Sequence, residues 1–152
     1  MIRGYCKVFG LLVVAVVLLA AGLGHTDELQ PFVSDGCSVF PDGTPGQKDL
    51  WRSCCVDHDL AYWQGGTRRQ RMAADKALQE CIAEVGVPKV AALMKVGVWF
   101  GGSPYLPFPF RWGFGWPYLR GYRVLTSSEQ LMVEKSLAAV FGAKDHLRSS
   151  PD

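Results

Sequence analysis

Cys54-Cys55-Val56-Asp57-His58-Asp59-Leu60-Ala61-Tyr62 packs two thiols, an imidazole, two carboxylates and a phenol into little more than two helical turns. No other stretch limits the fold as tightly. On a helix, side chains four apart share a face, so Cys54, His58 and Tyr62 line one side and Cys55 and Asp59 fall on the neighbouring stripe. Adjacent cysteines are badly placed to bond each other. Each therefore calls for a distant partner, and the stretch is expected to be held from two directions.

Five cysteines are present, and Cys6 precedes an apolar run near the N-terminus. The other four, Cys37, Cys54, Cys55 and Cys81, allow three pairings, with two disulfides the expected outcome in an exported chain. Export is read from Met1–Gly24, where Arg3 and Lys7 precede the uncharged run Val8–Gly24, ending in Ala20, Ala21, Gly22 and Gly24. Cleavage after Gly24 is the first reading and after Gly22 the second. The rival is an anchor retained over residues 8–24, a run close to the lower length limit for a span. Secretion or periplasmic residence follows from the first two readings, membrane anchoring from the third.

With 152 residues, 49% of them hydrophobic, the chain suits one small domain. Its net charge of +2 resides in Arg3 and Lys7, and without them 14 basic residues face 14 acidic ones. A neutral body excludes a dedicated nucleic-acid binder, which carries a basic surplus.

The periodicity predicts an all-α protein. Residues 25–31 read as a polar lead-in, and Phe32–Gly46, rich in Gly, Pro and Asp, as an ordered loop. Gln47–Gln64 is expected as a helix stopped by Gly65-Gly66. Thr67 caps a second helix through about Val85, with Met72, Ala73, Ala77, Leu78, Cys81 and Ile82 as its inner stripe. The two form an antiparallel hairpin, and Arg68, Arg69 and Arg71 read as a solvated face. Pro88–Phe100 is expected as a third helix. A capping box at Thr126-Ser127-Ser128-Glu129 opens a fourth through about Phe141, with Leu131, Val133, Leu137, Ala138 and Phe141 inward and a frayed end from Ala143.

Trp99–Tyr122 has an unusual composition, with Trp, Phe and Tyr interleaved with Gly, Pro and Arg without helical or strand period. It reads either as an irregular flap over the core or as a collar facing lipid, with Trp112, Trp116, Arg111 and Arg120 as the candidate interface residues. The divisions are thus 1–24 (signal or anchor), 25–98 (helical core with the preceding loop), 99–126 (aromatic flap or docking segment) and 127–152 (last helix and tail).

Cys-Cys-x-x-His-Asp-x-x-Tyr, followed on the next helix by Asp75-x-x-x-x-x-Cys81, resembles the active-site signature of the secreted phospholipase A2 superfamily. The resemblance covers roughly Asp35–Val85, and the absence of the long segment between the helices of animal enzymes makes the scaffold look closer to compact, microbial-type members. It implies His58 as general base, Asp75 as the carboxylate that orients it, Tyr62 as the phenol hydrogen-bonded to that Asp, and Asp59 as a Ca²⁺ ligand. It also implies the pairings Cys37–Cys55 and Cys54–Cys81. With the helices fastened so, Asp75 falls about two turns from Cys81 and His58 about one turn from Cys54, close enough to meet. The family's glycine-rich calcium loop is replaced here by Asp35–Gly43, in which Gly36 and Ser38 are the candidate carbonyl ligands.

The function expected is calcium-dependent hydrolysis of a phospholipid carboxylic ester at a membrane surface. The alternative is a non-catalytic, membrane-associated scaffold that keeps the hairpin and binds lipid or a protein partner. A zinc site built from Cys54, Cys55, His58 and Cys81 is a lesser alternative.

Overall fold

The computed structural model describes residues 28–148, so the signal or anchor segment at 1–24 lies outside the described residues. Among these residues there are four helices, α1 (Arg52–Gln64), α2 (Arg68–Glu84), α3 (Pro88–Gly101) and α4 (Ser127–Arg148). Among the described residues there is no strand, only an isolated bridge between Thr44 and Gln47. No helix among them is long and apolar enough to cross a membrane.

α1 and α2 pack as the expected pair and α2 also packs on α3. Two disulfides, Cys37–Cys55 and Cys54–Cys81, hold α1 to the preceding loop and to α2, with Cα separations of 5.0 and 5.8 Å. By loop closure each is worth about 3 kcal/mol. Consuming all four thiols also removes the zinc site, since Cys54, Cys55 and Cys81 are no longer available as thiolates.

α1 starts at Arg52 rather than Gln47 because the residues before it are engaged in turns. Thr44 and Gln47 exchange backbone hydrogen bonds, and Trp51 N–H donates to the Asp42 carbonyl at 3.0 Å. The indole of Trp51 donates to the Pro41 carbonyl at 2.7 Å. α2 begins at the expected Thr67 cap, which the structure extends to a full capping box, Thr67 and Gln70 bonding each other's backbone N–H. Its inner stripe is rotated from the apolar pattern. The buried residues are Arg71, Asp75, Leu78 and Ile82, whereas Met72 is 59% exposed and Ala73 and Ala77 face solvent. A buried ion pair replaced the alanine stripe that hydrophobicity alone favours.

Within Trp99–Tyr122 the tryptophans at 112 and 116 belong to the core, which corrects their interface reading, whereas Trp99, Phe100, Tyr105 and Tyr118 are exposed. Trp112 and Trp116 are 2% and 1% exposed. Their indoles donate to the carbonyls of Gly66 (2.9 Å) and Gln64 (2.7 Å), and the N–H groups of Gly113 and Gly115 reach those of Tyr62 (2.7 Å) and Trp63 (3.2 Å). The segment thereby satisfies carbonyls that the end of α1 leaves without an intrahelical partner. Gly115 lies so close to the Trp63 indole that a Cβ there would collide with it. The lead-in strip joins the same cluster: Gln30 N–H donates to the Gly115 carbonyl, its own carbonyl accepts from Trp63 Nε1, and Phe32 stacks edgewise on that indole.

Arg120 is likewise drawn inward, whereas Arg111 stays partly exposed. Arg111 donates to the Trp116 carbonyl at 2.7 Å. Arg120 lies buried over the Trp116 ring, 4.1 Å from its centroid, and bonds Glu129 at 2.7 Å. Its Nε and Nη2 have no hydrogen-bond partner among the described residues, and the ring face offsets part of that cost.

α4 opens with the capping box, the Glu129 carboxylate accepting from Thr126 N–H and Glu129 N–H donating to the Thr126 hydroxyl. It runs on to Arg148, past the predicted end near Phe141. Val133 is buried and Leu137 packs beside it, whereas Leu131, Ala138 and Phe141 face outward.

Hydrogen bonds from Arg120, Thr126 and Arg123 hold the Glu129 carboxyl down at about 2, with burial opposing them. A depressed carboxylate contributes stability above its unfolded value near 4.5, and that contribution is lost as pH falls through about 2. Glu129→Gln is expected to destabilise the protein by about 3 kcal/mol at neutral pH, because it strands the buried Arg120. Thermal melts of both proteins should show the gap narrowing toward pH 2.

Candidate functional site

The residue types of α1 are brought together with those of α2 by the Cys54–Cys81 staple. One turn along from that bond, His58 Nε2 lies 3.0 Å from Asp75 Oδ1, and the Tyr62 hydroxyl donates to the same oxygen at 2.6 Å. His58 is 9% exposed and Asp75 is 5% exposed. A carboxylate at Asp75 can only accept, so this contact selects the neutral-ring tautomer with hydrogen on Nε2 and the lone pair on Nδ1. Burial, and then the charge of Asp75, push the Tyr62 phenol far above its ordinary range. It therefore remains a donor across the working pH range.

Arg71 is the member of this cluster that sequence reasoning missed. It was placed on a solvated face with Arg68 and Arg69, which are indeed exposed. Arg71 is instead buried and lies 3.7 Å from Asp75 Oδ2. The available signal was the spacing of Arg71 and Asp75, four apart on one helix, together with its register relative to the cysteine.

Asp59 occupies the neighbouring stripe of α1 and faces the loop, as expected. The Ser34 hydroxyl donates to Asp59 Oδ2 at 2.6 Å. The turn that follows is drawn around Asp42, whose carboxylate accepts from Cys37 N–H at 2.7 Å and from Arg52 at 2.6 Å. Gly36 has φ +92°, and a Cβ on it would collide with the Asp42 carboxylate. Val39, β-branched, sits at φ +63°, a conformation that costs about 1–3 kcal/mol and persists where surrounding structure holds it.

These residues border a cavity of about 480 Å³. Gly36, Ser38, His58, Asp59 and Tyr62 give it one polar end, while Phe40, Leu78, Met94, Val98, Phe100 and Phe110 are among its apolar walls. Its rim carries exposed Val39, Leu93, Val96 and Phe108. The volume suits a small organic ligand or a single lipid chain.

Any hard dication at the polar end would find few charged ligands. Among the described residues no trio of His, Cys, Asp and Glu side chains gathers in metal-ligating reach, so one carboxylate, Asp59, would act with neutral loop oxygens. The Cys37 carbonyl accepts from Phe40 N–H. Those of Gly36 and Ser38 accept no hydrogen bond among the described residues. Oxygen-only donors of this kind suit Ca²⁺ rather than a soft metal.

Burial raises the Asp59 carboxyl to about 6, with the Ser34 hydrogen bond and His58 working against it. A raised carboxylate contributes its stability in full below its unfolded value near 3.8 and loses it as pH rises through about 6. In chelator, Asp59→Asn should therefore melt above the parent near pH 7.5 and converge with it near pH 4. Added Ca²⁺ should raise the melting temperature of the parent alone. No family model, curated protein or solved structure matches the chain.

Proposed function

We propose that this protein hydrolyses a carboxylic ester of a phospholipid, in the manner of the secreted phospholipase A2 proteins whose signature it resembles. The observation that carries the reading is the His58–Asp75 pair set beside Asp59 at the polar end of an otherwise apolar cavity. An apolar chain in that cavity would bring its ester to the imidazole.

Asp75 and Tyr62 hold the ring so that Nδ1 accepts a proton from water as the water oxygen bonds to the ester carbonyl carbon. The C–O bond to the glycerol then breaks, and the imidazolium returns its proton to the departing alkoxide, yielding a fatty acid and a lysophospholipid. Asp59 and the carbonyls of Gly36 and Ser38 would hold a Ca²⁺ ion, which would supply positive charge against the charge developing on the ester oxygen. Two disulfides support action in an oxidising compartment, secreted or periplasmic.

The membrane-facing role falls to other aromatics than those first singled out. Trp99 and Phe100 at the end of α3 are 61% and 67% exposed and stack edge to face, and Phe100 also lines the cavity. Rings at this position suit the headgroup level of a bilayer.

Fatty-acid release from phosphatidylcholine and phosphatidylglycerol vesicles tests the reaction. The parent should act with Ca²⁺ and stop with chelator, and His58→Gln and Asp59→Lys should each lose roughly 10²- to 10⁴-fold in rate. Equal, calcium-independent release by all three proteins would end the catalytic reading and leave the scaffold alternative. For docking, Trp99→Ala combined with Phe100→Ala should weaken vesicle sedimentation, and unchanged sedimentation removes these rings from the interface.

A further inference from the structure

The Arg71 guanidinium has partners from four parts of the chain. Nε–H donates to the Tyr62 hydroxyl at 3.1 Å and lies 3.7 Å from Asp75 Oδ2. Nη1 donates to the Tyr122 hydroxyl at 2.6 Å, and Nη2 to the carbonyls of Val98 and Trp99 at 2.8 and 2.7 Å. The two carboxylate oxygens of Asp75 are thus divided: Oδ1 receives Tyr62 and His58, and Oδ2 faces the cation. Val98 is itself a cavity wall residue, one turn before the glycines that close α3.

We propose that Arg71 is a positioning residue of the site, fixing the rotation of Asp75 and Tyr62 and so the tautomer of His58, and tying that setting to the α3 turn that walls the cavity. This rests on the reading of His58 and Asp75 as the water-activating pair. The physical reason is that a carboxylate buried without a counter-charge is costly. Lacking Arg71, Asp75 has to turn, recruit water or take up a proton. Each of these weakens the acceptor that keeps hydrogen on Nε2.

A planar fork is required for the arrangement, because three nitrogens bond in three directions at once. Lysine keeps the charge but offers a single nitrogen. Capping of α3 by a cation at its C-terminal carbonyls is the merely structural role from which positioning has to be distinguished. Geometry separates the two, since the fork engages the Tyr62 hydroxyl in addition to those carbonyls.

Long-range ¹⁵N–¹H NMR of the His58 ring at about pH 9, where imidazole is ordinarily neutral, reads the tautomer without reference to activity. The parent should show hydrogen on Nε2. Arg71→Met should show mixed tautomers, with kcat on vesicles down about 10²-fold and both KM and half-saturating Ca²⁺ within about two-fold of the parent. Arg71→Lys should fall between them, and Tyr122→Phe should lose less.

A folded Arg71→Met protein that keeps the Nε2–H tautomer and parental kcat overturns the proposal. So does a loss confined to KM, which marks a wall effect alone. Should Arg71→Met fail to fold, Arg71→Lys decides: a single Nε2–H tautomer with full kcat again overturns it. A parent that releases no fatty acid removes the enzymatic reading, and the ring tautomer in the variants still decides the role of Arg71.

Discussion

A carboxylate held in the interior sets the terms for the rest of this protein. Asp75 is nearly inaccessible to water, and an ion so placed is tolerated only where donors and a counter-charge surround it. α1 contributes the imidazole of His58 and the phenol of Tyr62, four residues apart, and α2 contributes Arg71, four residues before the acid itself. Both helices must therefore meet in one register, and the Cys54–Cys81 bond holds them in it. The second disulfide, Cys37–Cys55, places the loop beside Asp59 on the next stripe of α1.

The glycine- and tryptophan-rich segment follows from what a buried helix end needs. α1 stops at Gly65-Gly66, both buried, so its last carbonyls need partners from the protein. Indole N–H groups from Trp112 and Trp116 and the backbone of Gly113 and Gly115 complete them. Glycine is required where the two backbones touch: at Gly65 a Cβ would come within 3.0 Å of the Gly113 Cα. Tyr122 from the same segment reaches Arg71. Aromatic packing, helix capping and the charge cluster are consequently one structure, and a change in any of them is transmitted to the others.

The cavity draws its character from the same elements. Its polar end is made by α1 and the stapled loop, and its apolar walls come mainly from α3 and the Phe108–Phe110 turn, whose rings stack at 5.1 Å. Water activation needs a base with a committed proton on its far nitrogen, and an ester needs a dry place for its chain. Under the proposed function the juxtaposition would supply both within one opening, with a partly buried carboxylate beside it whose neutral form is favoured by desolvation.

Local chemistry was legible from residue order alone. Helix starts at Thr67 and Thr126 were readable because a hydroxyl caps the first turn whatever surrounds it, and at Thr126 a Glu three residues on returns the bond. The four-residue spacing placed His58 with Tyr62, and the resemblance carried Asp75 to the same point. What only the tertiary structure decided was which surface faces inward. Arg71 and Asp75 displaced an alanine stripe, Trp112 and Trp116 turned from a supposed membrane collar into the core, and Trp99 and Phe100 remained outside. Hydropathy ranks a side chain by its own cost of burial. Partners from distant segments, such as the Glu129 carboxylate for Arg120 or the Gly66 carbonyl for Trp112, decide whether that cost is met.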